Sequence, residues 1–257
     1  MKISEKISQI LNPAGGLFYH YCAFRFSQNR WAPFRQALTE WLLEWQPKHK
    51  DVVLIGPSGG YCLTPEVLMR FRSITLVEID PLASWIFKQR FKKMNLPIEL
   101  DSKDYFSPVH DHFDPEATRP LWNRYVNHSL LFCNILGQLP HLYPKAVEKE
   151  SFLFWKKSFT QSLHDHGDWS SFHDRLSSTQ RFQVLPQDQV TQYPRSLDDW
   201  IERLQWSQAK RSSKHPVKLM DHQTGDLFQN DLKHYFVWDL FPGQCHLIEG
   251  VFNHSAD

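Results

Sequence analysis

The chain has 257 residues, of which 41% are hydrophobic and 22% are charged, and its formal net charge is +1. These values are typical of a globular protein with a substantial buried core, and they argue against a general attraction to nucleic acid. No apolar run approaches the roughly 18 residues that a membrane-spanning helix requires, so the sequence predicts no membrane segment.

The beginning of the sequence and the cysteines together predict a cytoplasmic protein. Residues 1–16 contain no continuous apolar segment, which does not fit a signal peptide. The four cysteines are far apart and include no CxxC pair, so we expect buried thiols in a reducing compartment rather than disulfides or zinc ligands. They are Cys22, Cys62, Cys133 and Cys245.

Residues 1–48 are predicted to form a helical extension that packs on the rest of the chain. Apolar residues follow helical spacing, and aromatic side chains are dense from residue 17 to residue 45. We interpret these aromatics as a docking surface against a sheet. In the alternative interpretation, Tyr19, His20 or Tyr21 belongs to a lid over a ligand.

The next segment has the pattern of a strand, a glycine-rich turn, a short helix and a second strand. The apolar run Val52–Ile55 leads into a turn that contains Gly56, Gly59 and Gly60, and the apolar run Ile74–Ile79 follows. Apolar runs without polar alternation indicate parallel strands that are covered on both faces. Glycines let the backbone turn sharply and come close to a ligand.

Two acids, Glu78 and Asp80, lie at the end of the second apolar run, and Glu78 is 22 positions after Gly56. An acid at about this distance can reach the tip of the neighbouring strand and accept hydrogen bonds from the hydroxyls of a ribose. The stretch therefore predicts the first half of a nucleotide-binding α/β sheet. Glycine turns also occur in α/β sheets that bind nothing, which remains the alternative.

Residues 49–257 are predicted to form one α/β domain, with an insertion at about 165–215 where the apolar pattern weakens. Two strands around residues 242–244 predict a closing antiparallel hairpin. After residue 81 we predict helices at 82–93 and 147–164, and strands at 98–100, 129–135, 217–220, 233–241 and 245–253.

Four motifs resemble those of the class I S-adenosylmethionine-dependent methyltransferases. They are VVLIGPSGG, ITLVEIDP, KDYF and LLFCNILGQLP, and the resemblance covers roughly residues 50–253. The segments NRWAPF, VVLIGPSGG and NILGQLP together resemble an uncharacterised bacterial branch of that superfamily. The resemblance implies a Rossmann-like, mostly parallel seven-stranded sheet with a C-terminal antiparallel hairpin and helices on both faces.

The resemblance also implies S-adenosylmethionine as the cofactor. Glu78 would then hold the ribose hydroxyls, and Asp104 with Tyr105 would flank the adenine. Asn134 would lie beside the methionine end of the cofactor and the acceptor. The predicted cofactor-binding residues are Gly56, Pro57, Ser58, Gly59, Gly60, Glu78, Asp80, Asp104, Tyr105 and Asn134.

The predicted reaction is direct methyl transfer to a small-molecule acceptor, which needs a general base only if the acceptor must lose a proton. His173 is the candidate base, because imidazole takes up a proton near neutral pH. Asp174, His222 and Asp221 are candidate helpers. His173, Asp174 and Asn134 form the predicted catalytic set, and for each histidine the alternative is a surface side chain in a polar insertion.

No metal site is predicted. His164 and His166 are two positions apart and do not share a helix face, whereas paired ligands on a helix are four apart. The loop at 110–116 carries histidines and acids but no recognisable ligand spacing.

Three other functions are alternatives to this prediction. Leu54 and Ser58 depart from the family's pattern, which has an acid and a glycine at these places, and they favour a non-catalytic binding or scaffold protein with a degenerate cofactor pocket. A nicotinamide-dependent dehydrogenase fits less well, because the turn lacks G-x-G-x-x-G spacing. Nucleic-acid binding ranks last, since the basic cluster at 88–93 is typical of a solvated helix face. The sequence does not predict an oligomeric state.

Overall fold

The computed structural model describes residues 16–184, 190–191, 197–201 and 218–253. Helices cover both faces of a central nine-stranded sheet in this part of the chain. The strands are β1 (Asp51–Ile55), β2 (Ser73–Val77), β3 (Ile98–Asp101), β4 (Ser129–Cys133), β5 (Trp169–Ser178), β6 (Val190–Thr191), β7 (Leu219–Asp221), β8 (Lys233–Phe241) and β9 (Gln244–Phe252).

The helices alternate with the first five strands along the chain. They are α1 (Leu17–Phe26), α2 (Ala32–Glu44), α3 (Pro65–Leu68), α4 (Pro81–Phe91), α5 (Arg119–Arg124), α6 (Ile135–Leu142), α7 (Pro144–Val147) and α8 (Glu150–His166), with a 3₁₀ helix at Lys92–Met94. The helix predicted at 147–164 is thus divided between the short α7 and the longer α8.

Strands β3, β2, β1, β4 and β5 lie side by side in that order and are parallel. Strand β9 lies between β5 and β8 and runs antiparallel to both. The predicted α/β class, with a mostly parallel sheet and a closing antiparallel hairpin, is confirmed. The short strands β6 and β7 pair with β8 and β5 and bring the total to nine.

The predicted start of the insertion, at about residue 165, is wrong because β5 is a central strand of the sheet. All ten of its residues are buried, although most of them are polar or charged. Several of these polar groups find partners inside the protein; Asp174, for example, is hydrogen-bonded to Asn134. A buried strand with internally paired polar groups has no apolar run that would mark it in the sequence.

Helices α1 and α2 pack on one face of the sheet, against strand β8 of the closing hairpin. Trp31 is fully buried, and its indole Nε1 donates a hydrogen bond to the Leu240 carbonyl oxygen at 2.8 Å. The Phe34 ring stacks on Trp238 with the centroids 5.0 Å apart. The described part of the N-terminal region therefore shares a core with β8. The helical pattern predicted for residues 1–15 lies outside the described residues.

All four cysteines are buried free thiols, as the sequence predicted. Across the described ranges, no helix has both the length and the apolar character needed to cross a membrane.

Candidate active site

A tight turn with left-handed backbone follows β1. Gly56 has φ +64° and Gly60 has φ +67°, and Ser58 between them has φ +51°, which is unusual for a residue with a side chain. A Cβ on Gly56 would lie 3.0 Å from the Cβ of Ile135, the first residue of α6. The turn after β1 therefore touches the helix that follows β4, and it needs a glycine at this contact.

The carboxylate of Glu78 lies across this turn. Its oxygens accept hydrogen bonds from the backbone N–H of Ser58 at 2.9 Å and of Asp80 at 3.0 Å. Burial raises the pKa of Glu78. The Ser58 hydroxyl is buried and has no hydrogen-bond partner among the described residues. Glu78 therefore lies next to the turn, as predicted, and the unpaired hydroxyl of Ser58 lies in the same turn.

The other two glycines of the turn are required by packing. A Cβ on Gly59 would lie 2.7 Å from the Tyr61 ring, and one on Gly60 would lie 2.7 Å from the Phe87 ring. Such distances are too short for carbon atoms, so both residues are tightly enclosed by side chains. Their predicted role in approaching a ligand stays a prediction. Pro57 is buried, and its carbonyl oxygen accepts a hydrogen bond from the Gly60 N–H at 2.9 Å.

Helix α1 covers one side of the turn. His20 is buried, with its Nδ1 3.0 Å from the Tyr61 hydroxyl and its Nε2 3.8 Å from Asp80. Asp80 also caps α4 by accepting a hydrogen bond from the Leu82 N–H at 2.8 Å. Three residues were proposed for a lid. Tyr19 packs among aromatic rings, and Tyr21 is 62% exposed. His20 is the one whose ring nitrogens lie near Tyr61 and Asp80.

The loop after β3 contains Asp104 and Tyr105, the two residues predicted to flank an adenine. Their environments differ. Asp104 is exposed and accepts hydrogen bonds from the backbone N–H groups of Phe106 and Ser107. Tyr105 is buried, and its hydroxyl donates to Asp101 at 2.7 Å. Asp101 ends β3 and was not among the predicted site residues, although its position at the end of a strand could have identified it.

A second polar group lies where β4 and β5 meet α6. Asn134 has φ +63° and connects β4 to α6. Its side-chain oxygen accepts from the Asp174 N–H at 2.7 Å, and its side-chain nitrogen donates to Asp174 Oδ2 at 2.9 Å. Gln138 donates to the same oxygen at 2.9 Å. Two members of the predicted catalytic set, Asn134 and Asp174, are therefore joined.

Asp174 belongs to a buried triad with His222 and His246. The His246 Nδ1 lies 2.7 Å from Asp174 Oδ1, and one ligand atom from each of the three residues lies within 4.8 Å of the others. Burial alone would raise the pKa of Asp174. The neighbouring imidazoles and the donated hydrogen bonds outweigh burial and hold the pKa of this carboxyl well below its usual range, so it stays ionised.

His222 is held in one orientation by the backbone of α6. Its Nδ1 lies 2.7 Å from the Gly137 carbonyl oxygen, which can only accept, so Nδ1 carries the proton. The Nε2 atom is buried without a hydrogen-bond partner among the described residues. Burial lowers the pKa of His222, which favours the neutral ring with a free lone pair on Nε2.

His173 does not share a site with Asn134 and Asp174 as predicted, because consecutive residues of a strand point to opposite faces of the sheet. It is fully buried on the other face, with its Nε2 3.5 Å from Glu249. The Glu249 carboxylate is also 3.5 Å from Lys233 and accepts a hydrogen bond from the Tyr235 hydroxyl at 3.0 Å. The candidate base thus belongs to an internal charged network.

The predicted helpers are also separated. Asp221 forms an ion pair with Arg175, whereas His222 lies in the buried triad. Sequence reasoning missed His246, which lies in β9 and reaches Asp174 only through the pairing of β9 with β5. A histidine flanked by apolar residues gives no local signal of such a contact.

No protein-family model matches the sequence, and no curated protein matches it. Among solved structures, an S-adenosylmethionine-dependent methyltransferase from Clostridium acetobutylicum is 9% identical with a TM-score of 0.39, over 96% of this chain and 98% of that chain. The N-methyltransferase NodS from Bradyrhizobium japonicum, solved with S-adenosyl-l-homocysteine, is 10% identical with a TM-score of 0.35, over 79% and 78%. An O-methyltransferase family protein from Burkholderia thailandensis is 10% identical with a TM-score of 0.41, over 87% and 57%.

The overall similarity of these proteins to the chain is low, so the fold is identified from the strand order of the chain itself. Five parallel strands are followed by a hairpin whose last strand enters the sheet antiparallel to β5. The fold is a Rossmann-like α/β sheet with a C-terminal antiparallel hairpin. In this sheet, the chain leaves the centre in opposite directions from β1 and β4, and ligands of such sheets bind at the carboxyl ends of the strands beside that point.

Both polar groups described above lie at this edge of the sheet. The turn and Glu78 follow β1 and β2, and Asn134 follows β4. The contact between Gly56 and Ile135 joins the two sides. The edge therefore has a glycine turn with a carboxylate on one side and a buried acid with two imidazoles on the other.

Replacing Gly137 with alanine is expected to push α6 away from β5 and to destabilise the protein by about 1–3 kcal/mol. The added Cβ would lie 2.7 Å from the backbone nitrogen of Asp174, and backbone cannot move aside as a flexible side chain can. Urea unfolding measures the change, with Leu142→Ala on the exposed side of α6 as the control. Equal midpoints for the two variants would contradict the close packing of α6 on β5.

Proposed function

We propose that this protein is an S-adenosylmethionine-dependent methyltransferase that acts on a small-molecule acceptor. The observation that carries the proposal is the position of the Glu78 carboxylate across the glycine turn, at the carboxyl edge of the sheet. Glycine turn, strand-end acid and topological switch point together form the arrangement that holds a nucleotide ribose in α/β sheets.

The residues around Glu78 fit the cofactor that we propose. A carboxylate has about four acceptor sites, and the backbone N–H groups of Ser58 and Asp80 use two of them. The remaining sites can accept hydrogen bonds from the two ribose hydroxyls. The buried hydroxyl of Ser58 has no described partner and offers one more polar contact to a bound molecule.

S-adenosylmethionine, when bound, supplies a methyl group that is activated by a sulfonium centre. The contribution of the chain is to hold cofactor and acceptor in line and to exclude water. In this proposal, Glu78 and Ser58 bind the nucleoside, and Asn134 with the buried triad lies on the acceptor side. Asn134 orients Asp174 through two hydrogen bonds.

Two observations favour a small acceptor. Asp174 and His222 are buried, so only a compact chemical group can reach them. The net charge of +1 provides no general attraction for a nucleic-acid acceptor.

A non-catalytic protein of the same fold is the second candidate. Leu54 favours it, because this residue is fully buried in β1 at the place where the related enzymes have an acid. In that protein the Glu78 carboxylate would only hold the turn closed through the Ser58 N–H.

Calorimetric titration with S-adenosylmethionine and S-adenosylhomocysteine tests the proposal, with NAD as the control ligand. We expect both sulfur compounds to bind the wild-type protein, and Glu78→Ala to bind them at least about tenfold more weakly. The reason is that each hydrogen bond to a charged group contributes about 1.5–3 kcal/mol.

Glu66→Ala is the matched control, since Glu66 is an exposed acid in α3. Because Glu78→Ala also leaves the Ser58 N–H without its partner, Glu78→Gln provides a variant that can still close the turn. Unchanged affinity in both Glu78 variants would remove this acid from the binding site. Absence of binding by the wild-type protein would overturn the enzyme and favour the scaffold.

A further inference from the structure

We infer that the buried triad of Asp174, His222 and His246 binds one divalent transition-metal ion. The triad joins β5, the residue after β7, and β9. Each residue offers one ligand atom, and the three atoms lie within 4.8 Å of one another. Metal binding by this triad is independent of the proposed cofactor, although an ion here would act on the acceptor side of the same site.

The orientation of His222 is the first argument. A metal-bound histidine usually donates its second ring N–H to a carbonyl or carboxylate, which fixes the ring and leaves the other nitrogen for the metal. His222 has this arrangement, with Nδ1 2.7 Å from the Gly137 carbonyl oxygen and Nε2 buried without a described partner. A buried nitrogen lone pair with no hydrogen bond is costly unless something binds it.

The two oxygens of Asp174 provide the second argument. Oδ2 accepts hydrogen bonds from the side-chain amides of Asn134 and Gln138, both at 2.9 Å. Oδ1 is directed to His246 instead. One oxygen is thus held by supporting hydrogen bonds while the other faces the imidazoles, which is how ligating carboxylates are oriented. Gln138 Oε1 is buried and has no described partner, so it can accept a hydrogen bond from a metal-bound water.

The charge of the triad is the third argument. Asp174 is fully buried, and the groups that touch its carboxylate are two amides and an imidazole. A divalent ion bound to the carboxylate would place a positive charge directly against this enclosed acid.

The donor set determines the class of ion. Two imidazole nitrogens and one carboxylate oxygen are the ligands of catalytic zinc sites and of non-haem iron(II) sites, which keep open positions for water or substrate. With bonds of about 2.0–2.2 Å, the ligand atoms of a tetrahedral site lie about 3.4 Å apart. His246 Nδ1 and Asp174 Oδ1 are 2.7 Å apart, so an ion between them would replace the shared proton and separate these two atoms, while ligand atoms farther apart, up to 4.8 Å, would move closer. An oxygen atom of an acceptor could then occupy an open position and lose its proton more readily.

Titration of the metal-free, full-length protein with Zn²⁺ and Co²⁺ tests the inference. We expect one equivalent of each ion to bind and Co²⁺ to give the visible absorption of a site with nitrogen and oxygen ligands. His222→Gln and His246→Gln are each expected to weaken binding by at least about tenfold, because each removes one ligand. His164→Gln is the control, since His164 lies near Asp231 and away from the triad.

A variant can be less stable than the wild-type protein, so the melting temperature of each variant is also measured with and without Zn²⁺. Zn²⁺ should raise the melting temperature of the wild-type and His164→Gln proteins, but not that of folded His222→Gln or His246→Gln. Absence of stoichiometric binding by the wild-type protein, or binding that these two variants leave unchanged, would overturn the inference. Neither measurement uses S-adenosylmethionine, so a failed cofactor titration and a failed metal titration are separate results.

Discussion

Replacement of Lys233 with methionine is expected to destabilise the protein by about 3–5 kcal/mol, because it leaves a buried charge without its partner. Lys233 and Glu249 are both fully buried, and their charged groups are 3.5 Å apart. Lys233 also donates a hydrogen bond to the Phe228 carbonyl oxygen, which would lose this donor. Urea unfolding, followed by circular dichroism, measures the loss as a lower midpoint.

The control is Lys157→Met, which removes an exposed lysine from α8 and is expected to change little. Combining Lys233→Met with Glu249→Gln should restore part of the stability, since the second substitution removes the unpaired negative charge. A midpoint for Lys233→Met equal to that of Lys157→Met would show that Glu249 does not need this cation. His173, 3.5 Å from Glu249, would then be sufficient.

Trp31→Ala is expected to cost about 3–5 kcal/mol, the range for removing a large aromatic side chain from a core. Trp31 lies between α1 and α2, and its ring is 4.9 Å from that of Trp238 in β8. The substitution leaves a cavity and also removes the hydrogen bond to Leu240. Chemical denaturation of the full chain measures the effect.

Trp85→Ala is the matched control, since Trp85 in α4 is 60% exposed. Trp31→Phe keeps most of the volume and is expected to lose only about 1 kcal/mol with the hydrogen bond. If Trp31→Ala and Trp85→Ala unfold at the same denaturant concentration, the N-terminal helices are an appended unit. A much lower unfolding midpoint for Trp31→Ala than for Trp85→Ala would show that the N-terminal helices form one cooperative core with the hairpin.

The sequence predicted the parallel strands because their side chains are apolar on both faces. Residues 52–55 are all buried, and a run of this kind is readable without a structure. It did not predict β5, whose side chains include Ser171, His173 and Asp174. Ser171 is hydrogen-bonded to His173 within the strand, whereas His173 and Asp174 lie beside Glu249 and Asn134, which are distant in sequence. Local composition contains no information about those partners.

The same distinction applies to the candidate site. The position of Glu78 beside the glycine turn follows from a short stretch of chain with a fixed spacing, and it was predictable. Asn134 was predictable from its place at the end of a strand. The prediction that His173 acts beside Asp174 fails, because the alternation of β5 turns His173 to the opposite face of the sheet, where it lies near Glu249. The pairing of β9 with β5 brings His246 to Asp174 across 72 positions of sequence.

The position of β9 between β5 and β8 also affects how the protein is made. A ribosome delivers Asp174 long before His246, so a growing chain contains the acid while its imidazole partner is still to be synthesised. Until β9 enters, β5 lacks the neighbour that pairs with it over most of its length and is an open sheet edge. The triad of Asp174, His222 and His246 is therefore completed only when β9 has entered the sheet.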